Sequence, residues 1–252
     1  MRQDIRERLT DMGEEKYREF SASLTPGVTN MLGIRLPELR KLAKQIAKRD
    51  WQRAIAEEDI YFEEKMLRGM VISYVKGDVE EMLPYITDFI SLVDSWSICD
   101  SVFMGMNILE KDRERTWEYI QPYLQSSEEF EIRVALIIMM QHLLKCDTDG
   151  KKMSRLRQVT AENLSDSKEK KGPYLERILT AADSVNAEAY YVYMGVAWLI
   201  AEAFCCFPYH TYLFLKDNTL DNTTYNKAIQ KIVESRIPTD EVKDILRAMK
   251  RK

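Results

Sequence analysis

An all-α fold is what this sequence predicts, on three observations. Glycine and proline are scarce, 9 and 7 among 252 residues. The helix formers Leu, Ala, Glu, Lys and Met are plentiful. No stretch alternates apolar with polar residues for the length of a strand. The chain is long enough for a large buried core in one or two domains.

The elements follow in order as amphipathic helices separated by short polar breaks. An opening helix is expected over residues 4–23, then a break at residues 25–30, "TPGVTN". The next helix carries Pro37 in its first turn, and its Leu36, Leu39, Leu42, Ala43 and Ile46 fall on one stripe. Its other face is basic: Arg35, Arg40, Lys41, Lys44, Lys48 and Arg49 form the strongest local positive patch in an otherwise acidic chain. A solvated helix face is the plain alternative for such a run. Further helices are expected over residues 61–76, 79–91, 95–111, 114–126 and 128–144, a more polar pair between Lys151 and Ala182, an apolar helix from Tyr190, and two more over residues 209–218 and 223–236. Residues 148–174 have the polarity of a loop-rich surface excursion, but no linker divides the chain, so a single domain over residues 1–252 is expected. A short helix, a turn and an apolar helix recur at intervals of about 35 to 45 residues, the period of HEAT-like or armadillo-like pairs. No such pair can bury its apolar side alone, so the pairs are expected to stack into a curved α-solenoid.

Several function classes lack support. The four cysteines, Cys99, Cys146, Cys205 and Cys206, form neither a CxxC pair nor a disulfide framework, and the charged start has no secretory segment. A reducing cytoplasm is the expected compartment. Residues 190–207 approach the length of a membrane span but contain Glu202, which points instead to a buried helix of a soluble protein. His142 and His210 lack partners at ligand spacing, so no metal is expected. No GxGxxG, P-loop, HExxH or GxSxG motif occurs. The net charge of −4 argues against a whole surface built for polyanions, though not against a local basic face.

One stretch, "SWSICD", places Trp96 four residues before Asp100, so ring and carboxylate share a helical face. Core packing or an ordinary ion pair is the structural alternative for both. That stretch, together with "LGIRLPELRKLAK", the arginine opening "FEIRVALIIMM", and "YYVYMGVAWLIAEAF" followed by "YNKAIQKIVESR", resembles the DNA alkylation repair family, the AlkD-like HEAT-repeat glycosylases. The resemblance runs from about Tyr17 to the C-terminus, with its pieces in the family's order. It implies a concave, positively charged channel that grips duplex DNA by its backbone. It also implies cleavage of the bond between deoxyribose and a purine alkylated on a ring nitrogen, with no cofactor and no metal. Carried over motif by motif, the catalytic cluster falls on Trp96, Asp100, Arg133 and Trp198, and a tyrosine of the first helix falls on Tyr17. Some family enzymes carry a further arginine one turn after the second tryptophan; here Ala201 stands there.

These residue types suit that chemistry. A carboxylate beside the sugar stabilises the developing oxocarbenium ion and can orient the attacking water. Indole faces attract a cationic nucleotide. Arg133 precedes the all-apolar residues 134–140, so its charge needs a partner, either Asp100 or a DNA phosphate. Backbone grip would come from Arg35, Arg40, Lys41 and Lys44 and from Lys227, Lys231 and Arg236, contacts that position without reading sequence. The expectation is a monomeric glycosylase acting on duplex DNA containing alkylated purines. Its rivals are a non-catalytic HEAT-repeat module binding DNA structures or protein partners, and a plain scaffold.

Overall fold

The computed structural model describes residues 2–146 and 151–252, so residues 148–150 of the expected excursion lie outside the described residues. The chain divides into two compact units, Met1–Asp112 and Arg113–Lys252. Among the described residues both are helical without a strand. The extended pairings are two isolated bridges, Cys146 with Lys152 and Val159 with Pro238.

The first unit comprises α1 (Arg2–Asp11), α2 (Glu15–Leu24), α3 (Leu36–Ile46), α4 (Trp51–Ile55), α5 (Phe62–Tyr74), α6 (Val79–Ile90) and α7 (Trp96–Phe103), closed by a 3₁₀ turn at Asn107–Glu110. Its centre is α5, which is buried along most of its length and packs on α3 and on α7. The second unit comprises α8 (Arg113–Leu124), α9 (Glu129–Ile138), α10 (Leu175–Ser184), α11 (Tyr190–Cys206), α12 (Pro208–Lys216), α13 (Asn222–Glu234) and α14 (Asp240–Ala248). Its centre is α11, packed on α9 and α13. Within each unit every second helix therefore stacks directly on the next, as expected of repeated helix pairs whose apolar sides bury one another. No described helix is long and apolar enough to cross a membrane.

Local chemistry fixes the boundaries. Asp78, Ser95, Asp221 and Thr239 accept backbone N–H groups at the starts of α6, α7, α13 and α14, satisfying donors that the helices themselves leave open. In α5, Gly69 lies where a Cβ would come within 2.5 Å of the Phe89 ring and 2.8 Å of Val102, so its bare Cα lets α6 and α7 approach closely. Helix α9 runs on through one π turn, Met139–Leu143, in which the Leu144 N–H reaches back to the Met139 carbonyl at 2.8 Å.

Three expectations need correction. The single opening helix is two, because the chain breaks at Gly13 and Glu14 to admit the Leu32–Gly33 backbone: Glu14 N donates to Gly33 O at 3.0 Å, and a Cβ on Gly13 would stand 2.9 Å from Leu32 O. The polar pair between Lys151 and Ala182 is one helix, α10, preceded by a 3₁₀ turn at Ala161–Ser165 and otherwise irregular backbone. A terminal helix not expected from the sequence, α14, buries Val242 and Leu246 completely.

Candidate functional site

In the first unit, Ser95 caps α7 by accepting the Ile98 N–H at 3.3 Å, which puts Trp96 and Asp100 on the first turns of a helix held against α5. Trp96 is half-buried, and its indole N–H donates to the Leu24 carbonyl at the end of α2, 3.1 Å away. The ring lines a cavity of about 160 Å³ whose other walls include Tyr17, Leu24, Ile34, Leu39 and Met66. Tyr17 and Trp96, far apart in sequence, thus face one space. Asp100 is buried, 8% exposed.

The approach to α3 is built around a residue that sequence reasoning misses. Glu63 is buried at the start of α5 and accepts the backbone N–H groups of Leu32 at 2.8 Å, Gly33 at 2.7 Å and Ile34 at 3.2 Å. Gly33 has φ +85, and a side chain there would also run into Arg18, so only glycine closes this turn. The consequence is a fixed entry for Arg35, which pairs with Glu14 at 2.8 and 3.0 Å and lies 4.9 Å over the Tyr17 ring. That pair holds the Glu14 carboxyl below its ordinary range, through the Arg35 hydrogen bond.

In the second unit, Arg133 is buried on α9 and donates from Nη1 to the Tyr191 carbonyl at 2.8 Å, with its guanidinium 5.9 Å from the Tyr191 ring. Glu129, one turn earlier, accepts the Tyr191 N–H at 2.6 Å. Two side chains of α9 thus clamp both backbone groups of the second residue of α11. Gly195 eases the approach of α9 to α11: a Cβ there would stand 3.0 Å from Leu136, while Arg133 Nη1, at 3.7 Å, would be in ordinary contact. Trp198 follows Gly195 by three residues and Tyr191 by seven, which places all three on one side of α11, and Trp198 is half-buried. Around the N-terminus of α11 the rings of Phe130, Tyr190, Tyr191 and Tyr193 gather at centroid distances of 5.1 to 5.4 Å, with Tyr190 largely exposed. The spacing of Tyr191, Gly195 and Trp198 is the sequence signal for this cluster.

The expected phosphate contacts divide by how occupied they are. Arg40, Lys41 and Arg236 are exposed and carry no partner among the described residues, whereas Lys44 lies 5.1 Å over the Tyr74 ring. Lys227 donates to Gln230 and Lys231 pairs with Glu234, each at 3.1 Å. One turn after Trp198, Glu202 is buried and holds two cations: Lys145 at 3.2 Å, and Arg155, which engages both carboxylate oxygens and approaches one at 2.9 Å. Ala201, where an arginine would stand in some relatives, is buried. Burial pushes the neighbouring Cys206 thiol up to about 12, so it stays protonated and inert. No group of His, Cys, Asp and Glu among the described residues is arranged to hold a metal.

Comparison with known families gives a match. The family model described as DNA alkylation repair enzyme covers residues 5–171, more than half of the chain. Tyr17, the α3 cations, Trp96, Asp100 and Arg133 lie inside that span; Trp198, Lys227, Lys231 and Arg236 lie beyond it. No curated protein matches the chain.

Proposed function

The chain belongs to the DNA alkylation repair enzyme family, and from that premise we propose that it is a DNA glycosylase hydrolysing the N-glycosidic bond of cationic alkylated purines in duplex DNA. On this reading the chain works as a monomer in the cytoplasm, without a metal or organic cofactor. The observation that carries the reading is where the four proposed catalytic side chains fall. Trp96 and Asp100 lie on α7, Arg133 on α9 and Trp198 on α11, all within the rows of alternate helices that stack directly in each unit. Both tryptophans are half-buried.

In this mechanism a purine alkylated on a ring nitrogen enters already positively charged, which makes it a good leaving group. As its bond to the sugar stretches, positive charge moves onto the deoxyribose. Asp100 stabilises that charge and orients the water that adds to the sugar carbon. Trp96 and Trp198 attract the cationic nucleotide through their ring faces, each by about 0.5–2 kcal/mol depending on exposure. Arg133, fixed by the Tyr191 carbonyl, supplies positive charge for a DNA phosphate. The α3 cations and Lys227, Lys231 and Arg236 hold the backbone.

Purified protein incubated with methylated duplex DNA should release alkylated base, and Asp100→Asn should lose about 10² to 10³ of the rate while retaining duplex affinity. Release at the spontaneous rate by a folded wild type would remove the enzymatic reading. A non-catalytic binding module is the second reading, favoured by Ala201 and by Arg35, whose charge is already met by Glu14. It predicts that Asp100→Asn changes nothing measurable.

A further inference from the structure

The segment after the described end of α9 has the sequence of a polar surface excursion. Over residues 153–159 that excursion is also a fixed strap, pinned by a backbone hydrogen bond at every third residue. Met153 N donates to Lys145 O, Leu156 N to Cys205 O and Val159 N to Ile237 O, each at 2.9 Å. Thr239 N returns a bond to Val159 O, completing the bridge between Val159 and Pro238. Backbone held this way cannot turn its side chains at will.

The side chains it presents are basic. Lys151, Lys152, Arg155 and Arg157 fall within seven residues, all exposed; Lys151 and Lys152 already have partners, so the charge offered to a ligand is that of Arg155 and Arg157. Arg155 is seated on Glu202, one turn beyond Trp198, yet its side chain is still 46% exposed. A guanidinium has five N–H donors, and two of its nitrogens meet Glu202. The outward edge is left free to bond an anion in its plane. Lys145 shares the same carboxylate, so the trio keeps a positive charge. Arg157 has no partner among the described residues. The strap also adjoins an expected phosphate contact: the thiol of Cys205, whose carbonyl holds Leu156, is 3.7 Å from the Ser235 hydroxyl, and Arg236 follows directly. Strap and α13 terminus thus bring Arg155, Arg157 and Arg236 to one end of α11.

We propose that the strap at residues 155–157 is a phosphodiester-binding element for the nucleic-acid backbone, with Arg155 held in place by Glu202. The interaction is non-specific for sequence, because guanidinium and ammonium groups on phosphate oxygens carry no base information. The proposal rests on the duplex-DNA reading above but not on catalysis, and the test separates the two.

The experiment measures duplex affinity as a function of salt for the wild type, Arg157→Gln, Arg155→Ala and the double variant, using unmodified duplex and, in parallel, base release from methylated duplex. Removing one phosphate-binding cation should lower the slope of log affinity against log salt by about 1, so the double variant should fall by about 2 and bind several-fold more weakly at moderate salt. Arg157→Gln removes no intramolecular bond and guards against a folding artefact in Arg155→Ala; circular dichroism of both should match the wild type. A wild type that binds duplex with a slope unchanged in both single variants overturns the strap while leaving the glycosylase reading standing. Strap-dependent binding without base release supports the strap and removes the catalytic reading. No duplex binding by the wild type overturns both.

Discussion

Asp100, Arg133 and Glu63 are three buried charged side chains, and what surrounds each decides what its removal would do. Asp100→Asn keeps the side chain's shape and removes only its charge, so it is expected to alter the reaction more than the fold. Arg133 is different, because its Nη1 satisfies the Tyr191 carbonyl. Arg133→Ala should therefore destabilise the protein as well as slow base release, by about 1–3 kcal/mol if the carbonyl is left unsatisfied, measured by urea unfolding. Glu63→Gln should be worse than its modest chemistry suggests: one carboxylate serves three consecutive N–H groups, and an amide offers one acceptor oxygen in place of two. A loss of about 2–4 kcal/mol is expected, built from charge-assisted bonds worth roughly 1.5–3 kcal/mol each. Trp96, Asp100 and Arg133 are legible because residue type and spacing are local properties that a resemblance can carry. Glu63 is not, since its three partners lie about thirty positions away and nothing in "YFEEKM" distinguishes a buried glutamate from a solvated one.

At the level of elements, the same contrast explains which helices can be read in advance. The stripe of Leu39, Leu42 and Ala43 and the apolar run of α11 announce themselves, and both are buried where expected. The opening helix reads as continuous because its break depends on a tertiary event, the passage of the Leu32–Gly33 backbone beside Gly13. Helix α14 escapes notice because it has only nine residues, and a stripe of Val242 and Leu246 one turn apart is too short to stand out. Close helix approach gives a direct test. Gly69→Ala raises helix propensity but drives a methyl group into Phe89 and Val102. The expected outcome is a net loss of about 1–3 kcal/mol, the usual cost of overpacking, read as a lowered Tm with unchanged helical content. A gain in Tm would show that α6 and α7 can move apart more easily than this packing implies.

Across the whole molecule, carboxylates tied to cations dominate the response to acid. Burial alone would raise the Glu64 carboxyl, but hydrogen bonds from Arg6 and from the Tyr61 and Ile60 amides outweigh it and leave the group below its ordinary range. Glu114 beside Arg177 and Glu234 beside Lys231 are lowered as well. A lowered folded value means stability that is complete above the ordinary carboxylate range and lost as pH falls through the folded value. Glu169 acts in the opposite sense, since burial raises it, so folding takes up a proton there in mild acid. With several lowered groups against one raised, Tm should fall between about pH 5 and pH 3, and Glu64→Gln should flatten that fall in calorimetric scans. None of this balance is visible in the formal charge of −4, which counts acids without recording which of them have found a cation.

The pinning of Met153, Leu156 and Val159 carries a dynamic corollary. A stretch without helix or strand ordinarily trades its amide protons with solvent at once. Here three protons spaced three residues apart should exchange slowly, with quick neighbours between them, because each is released only when its anchor on Lys145, Cys205 or Ile237 opens. The rhythm of slow and fast sites recorded in deuterated water would then report how often the strap lifts away from each of its three anchors, the middle one on α11.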